Sequence, residues 1–299
     1  MIPLVNRQSY IALNVRNLDT AIKDARDIAG LQLVERTDNR AILTSNARHA
    51  EMVLHKAPTD TVRSVGLEAP TAESVEKAAF SIRKAGLRIL SETPSLDCIG
   101  RSVTFATSEG HIIEVHTPTP ETQPRRYPGP GIHPKRIDHV NLAARDPWAV
   151  HLELTAAIGL KLSERATNNE LMWMRAGDNR HHTVGIAKGK SGLHHFCWEF
   201  GQFTDFMRLG DVLDSVDRMM VWGPGRHGAG DNLFTYYRDS SGFLVECSAE
   251  MELIDDTNGF EPRVVDVPPD LSNPKLVNRW GALPPREWIE QHSDFARWD

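Results

Sequence analysis

The stretch DHVNLAARDPWAV, residues 138–150, decides the fold because the chain contains a second version of it. The earlier copy is SYIALNVRNLDTA, residues 9–21, in which Leu13 aligns with Leu142. In both copies an alternating apolar pattern, typical of a strand, passes through an Asn or Asp turn into residues with helical spacing. Such self-similarity indicates one structural unit that is used more than once.

Two further matches extend the repeat along the chain. SEGHIIEVH (108–116) aligns with SSGFLVECS (240–248), and SVGLEAP (64–70) aligns with HFCWEFG (195–201). The segment TPTPETQPRRYPGPGIHP (117–134) lies between the copies and is rich in proline and glycine, which interrupt helices and strands. The sequence therefore predicts two tandem modules joined by a linker.

Within each module a smaller unit recurs, consisting of a strand, a helix and several short strands. Residues 72–90 and 203–216 carry apolar side chains at helical spacing, and short alternating segments follow each of them. This order predicts an α+β fold of paired βαβββ units, with sheets covered by helices. We expect a first module at 1–120, a linker at 121–135, a second module at 136–255 and a Trp-rich tail at 256–299.

The composition excludes several classes of protein. The chain has 299 residues, 40% of them hydrophobic and 25% charged, with a formal net charge of −6. These values are ordinary for a globular protein and argue against a nucleic-acid-binding surface. No apolar stretch approaches the roughly 18 residues of a membrane span, and three scattered cysteines favour the reducing cytoplasm. We expect no nucleic-acid and no membrane partner.

The two copies differ at three strand positions that matter for chemistry. The first copy has Tyr10, Ser64 and Glu114 where the second has His139, His195 and Glu246. If the three positions share the inner face of one curved sheet, only the second module can bind a metal there. Two histidines and one carboxylate leave coordination positions open, as in non-haem Fe(II) sites, and Zn(II) also accepts this ligand set. Packed or hydrogen-bonded strand histidines are the alternative interpretation.

Two neighbours of His195 compete with it for the ligand role. Adjacent strand residues face opposite sides, so only one of His194 and His195 can point inward. The alignment with Ser64 favours His195. Cys197 shares the face of His195, and we interpret it as a small buried apolar side chain rather than a thiolate ligand.

A third motif lies in GRHGAGDNLFTYYRDSSGFLVE, residues 225–246, where His227 is followed nine residues later by Tyr236 and finally by Glu246. With this motif the chain resembles the type I extradiol ring-cleavage dioxygenases, the two-domain catechol 2,3-dioxygenase type of the vicinal oxygen chelate superfamily. The resemblance also rests on IDHVNL around His139 and on HHFCWE, which begins at His194. It covers about residues 9–252.

The resemblance implies a fold, a metal and an activity. Each module would form a half-open barrel, and the first module would be free of metal. Fe(II), with Mn(II) as the alternative, would be held by His139, His195 and Glu246. With O2, a catechol-type ring would be cleaved next to its hydroxyls to a ring-opened semialdehyde or keto acid.

The resemblance also assigns roles to residues that do not bind the metal. A histidine that opens a short strand would act as the acid–base group; in HHTVGIA this is His182, with His181 as the alternative. His227 and Tyr236 would hydrogen-bond the substrate oxygens. A packing role is the alternative interpretation for each of these side chains.

The C-terminal segment contains three of the seven tryptophans, Trp280, Trp288 and Trp298. Because exposed tryptophan is unfavourable, we expect this tail to pack on the modules or across a subunit boundary, and we expect a homo-oligomer.

Two other functions fit parts of the pattern. A glyoxalase-like isomerase or lyase would use Zn or Ni but would not need His182 together with Tyr236. A non-catalytic small-molecule-binding protein on the same scaffold would need none of the three metal ligands.

Overall fold

The computed structural model describes residues 2–267, 275 and 277–298. The first module consists of β1 (Arg7–Val15), α1 (Leu18–Asp27), β2 (Gln32–Arg36), β3 (Arg40–Thr44), β4 (Met52–Lys56), β5 (Thr61–Glu68), α2 (Ala72–Lys84), β6 (Arg88–Ser91), β7 (Ser102–Ala106) and β8 (Ile112–His116). This order is one βαβββ unit followed by another.

The second module repeats the same order. It consists of β9 (Arg136–Ala144), α3 (Pro147–Ile158), β10 (Lys161–Ala166), β11 (Leu171–Arg175), β12 (Val184–Lys188), β13 (Gly192–Glu199), α4 (Thr204–Asp214), β14 (Trp222–His227), β15 (Leu233–Arg238) and β16 (Leu244–Ala249). The prediction of an α+β fold with two tandem modules of paired βαβββ units is confirmed.

Short elements follow the second module. They are a 3-10 helix (Asp256–Asn258), β17 (Arg263–Val265), β18 (Asn278–Trp280) and α5 (Arg286–Ile289). Of the predicted tail, residues 268–274, 276 and 299 lie outside the described residues. The tail was not predicted to contain strands, yet β17 and β18 extend the second sheet.

Each module is built on one open sheet. The first sheet has the order β2-β3-β4-β1-β5-β8-β7-β6, and the second has the order β17-β10-β11-β12-β9-β13-β16-β15-β14-β18. In both sheets the first strands of the two βαβββ units, β1 with β5 and β9 with β13, pair antiparallel at the centre. Within the described residues neither sheet closes, since each has two edge strands.

The repeat is visible in the way the first helix of each module begins. Asn17 and Asp146, which occupy equivalent positions, are the N-caps of α1 and α3 and accept hydrogen bonds from the backbone N–H three residues later. Pro147 then occupies the first turn of α3, where a missing N–H costs nothing. Among the described residues no helix is both long and apolar enough to cross a membrane.

Strand register makes the two modules equivalent residue by residue. In the first module Ala12 pairs with Ser64, and Gly66 pairs with Glu114. The equivalent pairs in the second module are Asn141 with His195 and Cys197 with Glu246. The three positions compared in the sequence therefore lie on equivalent strands in both sheets.

The first module fills the position of the possible metal with a tyrosine. The Tyr10 ring is fully buried, and its hydroxyl donates to Glu114, which also accepts from Ser95. A Cβ at Gly66 would lie 2.3 Å from Cε1 of Tyr10, so glycine is required for the ring to occupy this place. In the second module Cys197 occupies the position of Gly66. A side chain fits there because His139 stands in place of Tyr10.

Buried polar contacts connect the two modules. Glu51 is fully buried, forms an ion pair with Arg48, and accepts a 3.0 Å hydrogen bond from the backbone N–H of Ile137 in β9. On the other side, Asp24 accepts a 3.0 Å hydrogen bond from the N–H of Ser240. Loss of either carboxylate would leave a polar group of the other module without its partner.

Candidate metal centre

Three side chains from three neighbouring strands converge on one buried point. Nε2 of His139 lies 3.1 Å from Oε2 of Glu246, and Nε2 of His195 lies 2.9 Å from the same oxygen. His139 is on β9, His195 on β13 and Glu246 on β16, strands that are adjacent in the second sheet. Together these atoms form one of the groups that could hold a metal ion.

Hydrogen bonds fix which ring nitrogen of His139 carries its proton. Nδ1 lies 3.0 Å from Oδ2 of Asp138, and a carboxylate can only accept. Burial raises the pKa of Asp138, but Arg180 and His139 more than offset this and hold it at about 2. In the neutral ring, Nδ1 therefore donates to Asp138 and Nε2 presents a bare lone pair to the centre, as is typical of metal-binding histidines.

A second chain of hydrogen bonds orients His195 in the same way. Nε2 of His194 lies 2.8 Å from the carbonyl oxygen of Trp288, and Nδ1 of His194 lies 2.7 Å from Nδ1 of His195. Burial and His195 lower the pKa of His194 to about 3, so its ring is neutral. Because the carbonyl only accepts, His194 donates from Nε2 and accepts at Nδ1, which leaves Nε2 of His195 bare.

The donor set of this group fits a divalent cation. Two imidazole nitrogens face a carboxylate oxygen at hydrogen-bond distance, an arrangement that favours a positive charge among them, either a proton on Nε2 of His139 or a metal ion that replaces it. The pKa values show the same attraction: burial lowers the pKa of His139, but the carboxylates of Glu246 and Asp138 raise it to about 9. Burial likewise opposes ionisation of Glu246, yet His139 holds its pKa well below the usual range.

The structure also brings Asp138, His139 and Cys197 close together. Asp138 already forms a 2.7 Å ion pair with Arg180, so its charge is neutralised. Burial raises the pKa of the Cys197 thiol well above its usual value, which keeps it protonated. This agrees with the interpretation of Cys197 as a buried thiol rather than a ligand.

A cavity of about 660 Å³ opens onto the three candidate ligands. Its apolar walls include Ala166, Leu171, Trp173, Val267, Val277, Pro284, Trp288 and Ile289. Its polar and charged lining includes Asn141, Asn168, Glu170, Lys188, Lys190, His194, His227, Tyr236, Glu290, Gln291 and His292. Such a cavity, apolar with a few convergent polar groups, is typical of a small-molecule site.

His182 lines this cavity, whereas His181 does not. The His182 ring lies 4.3 Å from the His139 ring, centroid to centroid, at an angle of 61°. Burial and the neighbouring His139 lower the pKa of His182 well below its usual value, so the ring is neutral. Of the two histidines that the sequence left open, His182 has the position of a group that acts on a bound molecule.

His227 and Tyr236 lie together on another wall. Nε2 of His227 is 3.0 Å from the Tyr236 hydroxyl and 3.7 Å from Oε1 of Glu246. Burial and Glu246 raise the pKa of Tyr236 well above its usual value, which keeps the phenol protonated. His227 stacks on Phe234 with ring centroids 3.8 Å apart.

The glycine-rich segment that leads to His227 forms a strand rather than a loop. His227 is the last residue of β14, which pairs with β15. The glycines permit this pairing because Gly225 packs directly beneath Phe234, where a Cβ would lie 2.7 Å from the ring. The glycines thus let the strand approach its neighbour closely.

Several residues of the centre were missed in the sequence. Asn232 donates a 3.2 Å hydrogen bond to Oε1 of Glu246, Asp138 orients His139, and the Trp288 carbonyl orients His194. Asp138 could have been found, because it precedes a candidate ligand. The contact of Asn232 with Glu246 and that of the Trp288 carbonyl with His194 gave no signal, since both depend on how separate segments pack.

The tail reaches the cavity, as its tryptophans suggested. Ser293 exchanges backbone hydrogen bonds of 2.8 and 2.9 Å with Leu193 in β13. Ala296 donates a 2.7 Å bond to Val62 of the first module. The segment between α5 and Ser293 thereby forms one wall of the cavity and rests on both modules.

Comparison with known proteins agrees with the fold. The model of the glyoxalase/bleomycin resistance protein/dioxygenase superfamily matches residues 7–115. These residues form a domain of that superfamily.

The resemblance to type I extradiol dioxygenases, predicted from the sequence, is confirmed by two curated relatives. A manganese-dependent 2,3-dihydroxybiphenyl 1,2-dioxygenase from Geobacillus genomosp. 3 is 28% identical over 85% of this chain and 87% of its own. A metapyrocatechase from Pseudomonas sp. (strain CF600) is 23% identical over 80% and 84%.

Solved structures share the whole fold. Homoprotocatechuate 2,3-dioxygenase from Brevibacterium fuscum, in complex with 3,4-dihydroxyphenylacetate, superimposes with a TM-score of 0.86 at 20% identity and covers 98% of this chain and 93% of its own. A Mn(II)-bound glyoxalase from Novosphingobium aromaticivorans gives a TM-score of 0.88 at 23% identity, covering 98% and 97%. Both show the fold of this chain, and the second shows that the fold also carries a protein named for another reaction.

Proposed function

We propose that this protein is an extradiol dioxygenase that uses Fe(II), with Mn(II) as the alternative. It cleaves a catechol-type ring beside its two hydroxyls with O2 and yields a ring-opened semialdehyde or keto acid. One observation carries the proposal: a two-histidine, one-carboxylate group lies at the base of a cavity whose walls present His182, His227 and Tyr236. The first module has Tyr10 and Ser64 in place of the two histidines and repeats only the carboxylate, as Glu114.

The ligands in this proposal are His139, His195 and Glu246. A divalent ion bound to them would promote ionisation of the diol and hold the diol and O2 side by side. The protein contributes the negative charge of Glu246 and a buried site. Contacts from Asp138 and His194 keep both imidazoles turned toward the centre. The fold holds the residues that make these contributions at the candidate centre.

The proton of the diol is taken by His182. Its neutral ring faces the cavity beside His139, and the contacts of His181 with His182 and Glu164 leave Nε2 of His182 free to accept. The same nitrogen returns the proton when the ring bond breaks, since imidazole can accept and donate near neutral pH. Burial keeps the resting ring unprotonated, which suits a base that acts first.

Tyr236 and His227 bind the oxygens of the substrate. Because its pKa is raised, Tyr236 keeps its hydroxyl proton and can donate it in a hydrogen bond to an ionised diol oxygen. Nε2 of His227 lies 3.0 Å from this hydroxyl and faces the same cavity. The pair thus recognises a negative oxygen without transferring a proton to it.

The cavity accommodates more than a bare catechol ring. Its volume of about 660 Å³ falls within the range of roughly 300–1,000 Å³ that holds drug-sized ligands. The apolar side chains of Trp173 and Leu171 lie on its walls. The cavity therefore has room for a diol with a substituent, and a panel of diols of increasing size tests which one is preferred.

The remaining expectations from the sequence belong to this proposal. Homo-oligomers are supported by large apolar side chains that stay exposed in the tail region, among them Trp280, Leu283 and Ile289. The division at residues 120, 135 and 255 is supported by the first sheet ending at His116 and the second beginning at Arg136. The cytoplasmic location rests on the scattered cysteines.

The test is anaerobic purification followed by metal analysis and a diol panel. Catechol, 3,4-dihydroxyphenylacetate and 2,3-dihydroxybiphenyl are supplied with O2, and oxygen uptake is followed together with the absorbance of the yellow product. We expect one metal per chain and equal uptake of O2 and diol. Glu246→Gln should lose both metal and activity, while Glu114→Gln, the equivalent change in the first module, should lose neither.

Two outcomes would count against the proposal. A metal-loaded protein that consumes no O2 with any diol is not a dioxygenase of this kind. Turnover of a 2-oxoaldehyde with a thiol under the same conditions would favour the glyoxalase-like alternative, which the Mn(II)-bound structural relative keeps under consideration.

A further inference from the structure

A buried chain of polar groups leads away from His182 on the side opposite the cavity. Nδ1 of His182 lies 3.1 Å from Nδ1 of His181, and the two rings stand at 90°. Nε2 of His181 lies in turn 3.2 Å from Oε2 of Glu164. All three side chains are buried, so bulk water does not compete with these contacts.

The carboxylate end of the chain sets the direction of both hydrogen bonds. Glu164 also accepts a 2.9 Å hydrogen bond from Nε of Arg263, a side chain that can only donate. Since a carboxylate only accepts, His181 must donate from Nε2, and its Nδ1 is then bare. That bare nitrogen accepts the Nδ1 proton of His182, so Nε2 of His182 holds the lone pair.

The backbone around His181 keeps its ring in this position. The N–H of His181 donates a 2.9 Å bond to the carbonyl of Glu252. Gly230 packs against the ring so closely that a Cβ there would lie 2.9 Å from Nδ1. The ring is therefore held at its backbone, on its face and at Nε2.

The first module contains the same pair without the catalytic histidine. Nε2 of His49 lies 2.8 Å from Oε1 of Glu35, and strand register makes these residues equivalent to His181 and Glu164. The residue after His49 is Ala50, at the position of His182. The Glu–His pair thus belongs to the repeated scaffold, and only the second module extends it to a third group.

We infer that His181 is a positioning residue for the acid–base step. Held by Glu164, it fixes both the ring orientation and the tautomer of His182, so that a bare Nε2 faces the substrate. This inference rests on the proposed function for its kinetic consequence, but the tautomer itself is a property of the protein without substrate.

The experiment compares two substitutions at His181 with a matched control. His181→Asn keeps an acceptor oxygen close to the position of Nδ1, whereas His181→Phe removes it. His49→Phe breaks the equivalent Glu–His pair in the first module. The tautomer of His182 is read from ¹⁵N chemical shifts of histidine-labelled, full-length protein loaded with Zn(II), which is diamagnetic. Kinetic constants are measured on the Fe(II)- or Mn(II)-loaded protein with the best diol of the panel.

We expect the native protein and His181→Asn to show a protonated Nδ1 and a bare Nε2 at His182. His181→Phe should lose that signature and about 10- to 100-fold in kcat, the usual effect of removing an outer-shell partner, with KM unchanged because the diol still binds the metal. His49→Phe should alter neither reading.

A protonated Nε2 at His182 in the native protein would overturn the inference, as would full activity of His181→Phe. If His181→Asn lost as much kcat as His181→Phe while keeping the native tautomer, the role of His181 would be packing alone. Should no diol be turned over by the native protein, the proposed function fails, and the ¹⁵N spectra still decide the tautomer.

Discussion

Asp138→Asn should weaken metal binding without touching a ligand. Oδ2 of Asp138 accepts from Nδ1 of His139 at 3.0 Å, and Oδ1 forms a 2.7 Å ion pair with Arg180. Asparagine offers one acceptor and one donor in the same space. If its oxygen faces His139, its NH2 group faces the Arg180 guanidinium, which is also a donor.

The other orientation of the amide is no better for the metal. Its NH2 group would then face Nδ1 of His139 and favour the tautomer with the proton on Nε2, the nitrogen that should bind the ion. Loss of a partner of this kind typically costs 10- to 100-fold in metal affinity, or about 1.4–2.8 kcal/mol. A competition titration of Mn(II) against a coloured chelator measures this loss.

Asp178→Asn is the matched control for this change. Asp178 lies in the same cluster, with Oδ2 3.4 Å from Arg136, and does not contact His139. Its substitution by asparagine removes the same negative charge. It should change the metal affinity far less. Equal affinities of native protein and Asp138→Asn would refute the argument that Asp138 sets the tautomer of His139, and equal losses in both variants would reduce it to a general effect of charge.

Other expected outcomes follow from the same structure. His195→Ala should abolish stoichiometric metal by elemental analysis, whereas Ser64→Ala, at the equivalent position of the first module, should retain it. His182→Phe should keep its metal but lose about 10²- to 10⁴-fold in kcat, since positioned acid–base groups contribute that much; unchanged kcat would move the proton transfer elsewhere. Trp288→Ala should raise KM for large diols by roughly tenfold or more, because apolar pocket contacts are worth about 1–3 kcal/mol, with metal content as the control. Burial and a neighbouring aspartate raise the pKa of Asp239 to about 7, so the free energy of unfolding should fall as pH rises from about 4 through 7, and Asp239→Asn should flatten that slope in denaturant titrations.

The positions of the candidate ligands could be compared in the sequence because they depend on local rules. Strand alternation places every second side chain on one face, and the repeat compares each strand with its own copy. His139 against Tyr10 and His195 against Ser64 are differences that a single sequence displays. The same rules predicted the strand and helix order of both modules, since the caps Asn17 and Asp146 and the helical spacings lie within short segments.

The supporting contacts could not be predicted because they join segments far apart in the chain. Glu164 reaches His181 across 17 residues, and the Trp288 carbonyl reaches His194 across 94. Neither contact has a sequence pattern, and each depends on side-chain direction in the packed structure. The same applies to His227, where glycines that suggest a loop instead permit close strand pairing.

The hydrogen bond from Ile137 to Glu51 links the first module to the candidate metal centre of the second. Ile137 stands two residues before His139 on the same strand, so a carboxylate buried in the first module anchors the backbone from which the first candidate ligand projects. The first module, in which Tyr10 fills the equivalent position, thus supports the backbone of the second. Substitutions in the core around Glu51 should therefore alter the candidate metal centre, although they lie in the other module. The second module on its own would lack this anchor for the backbone beside His139.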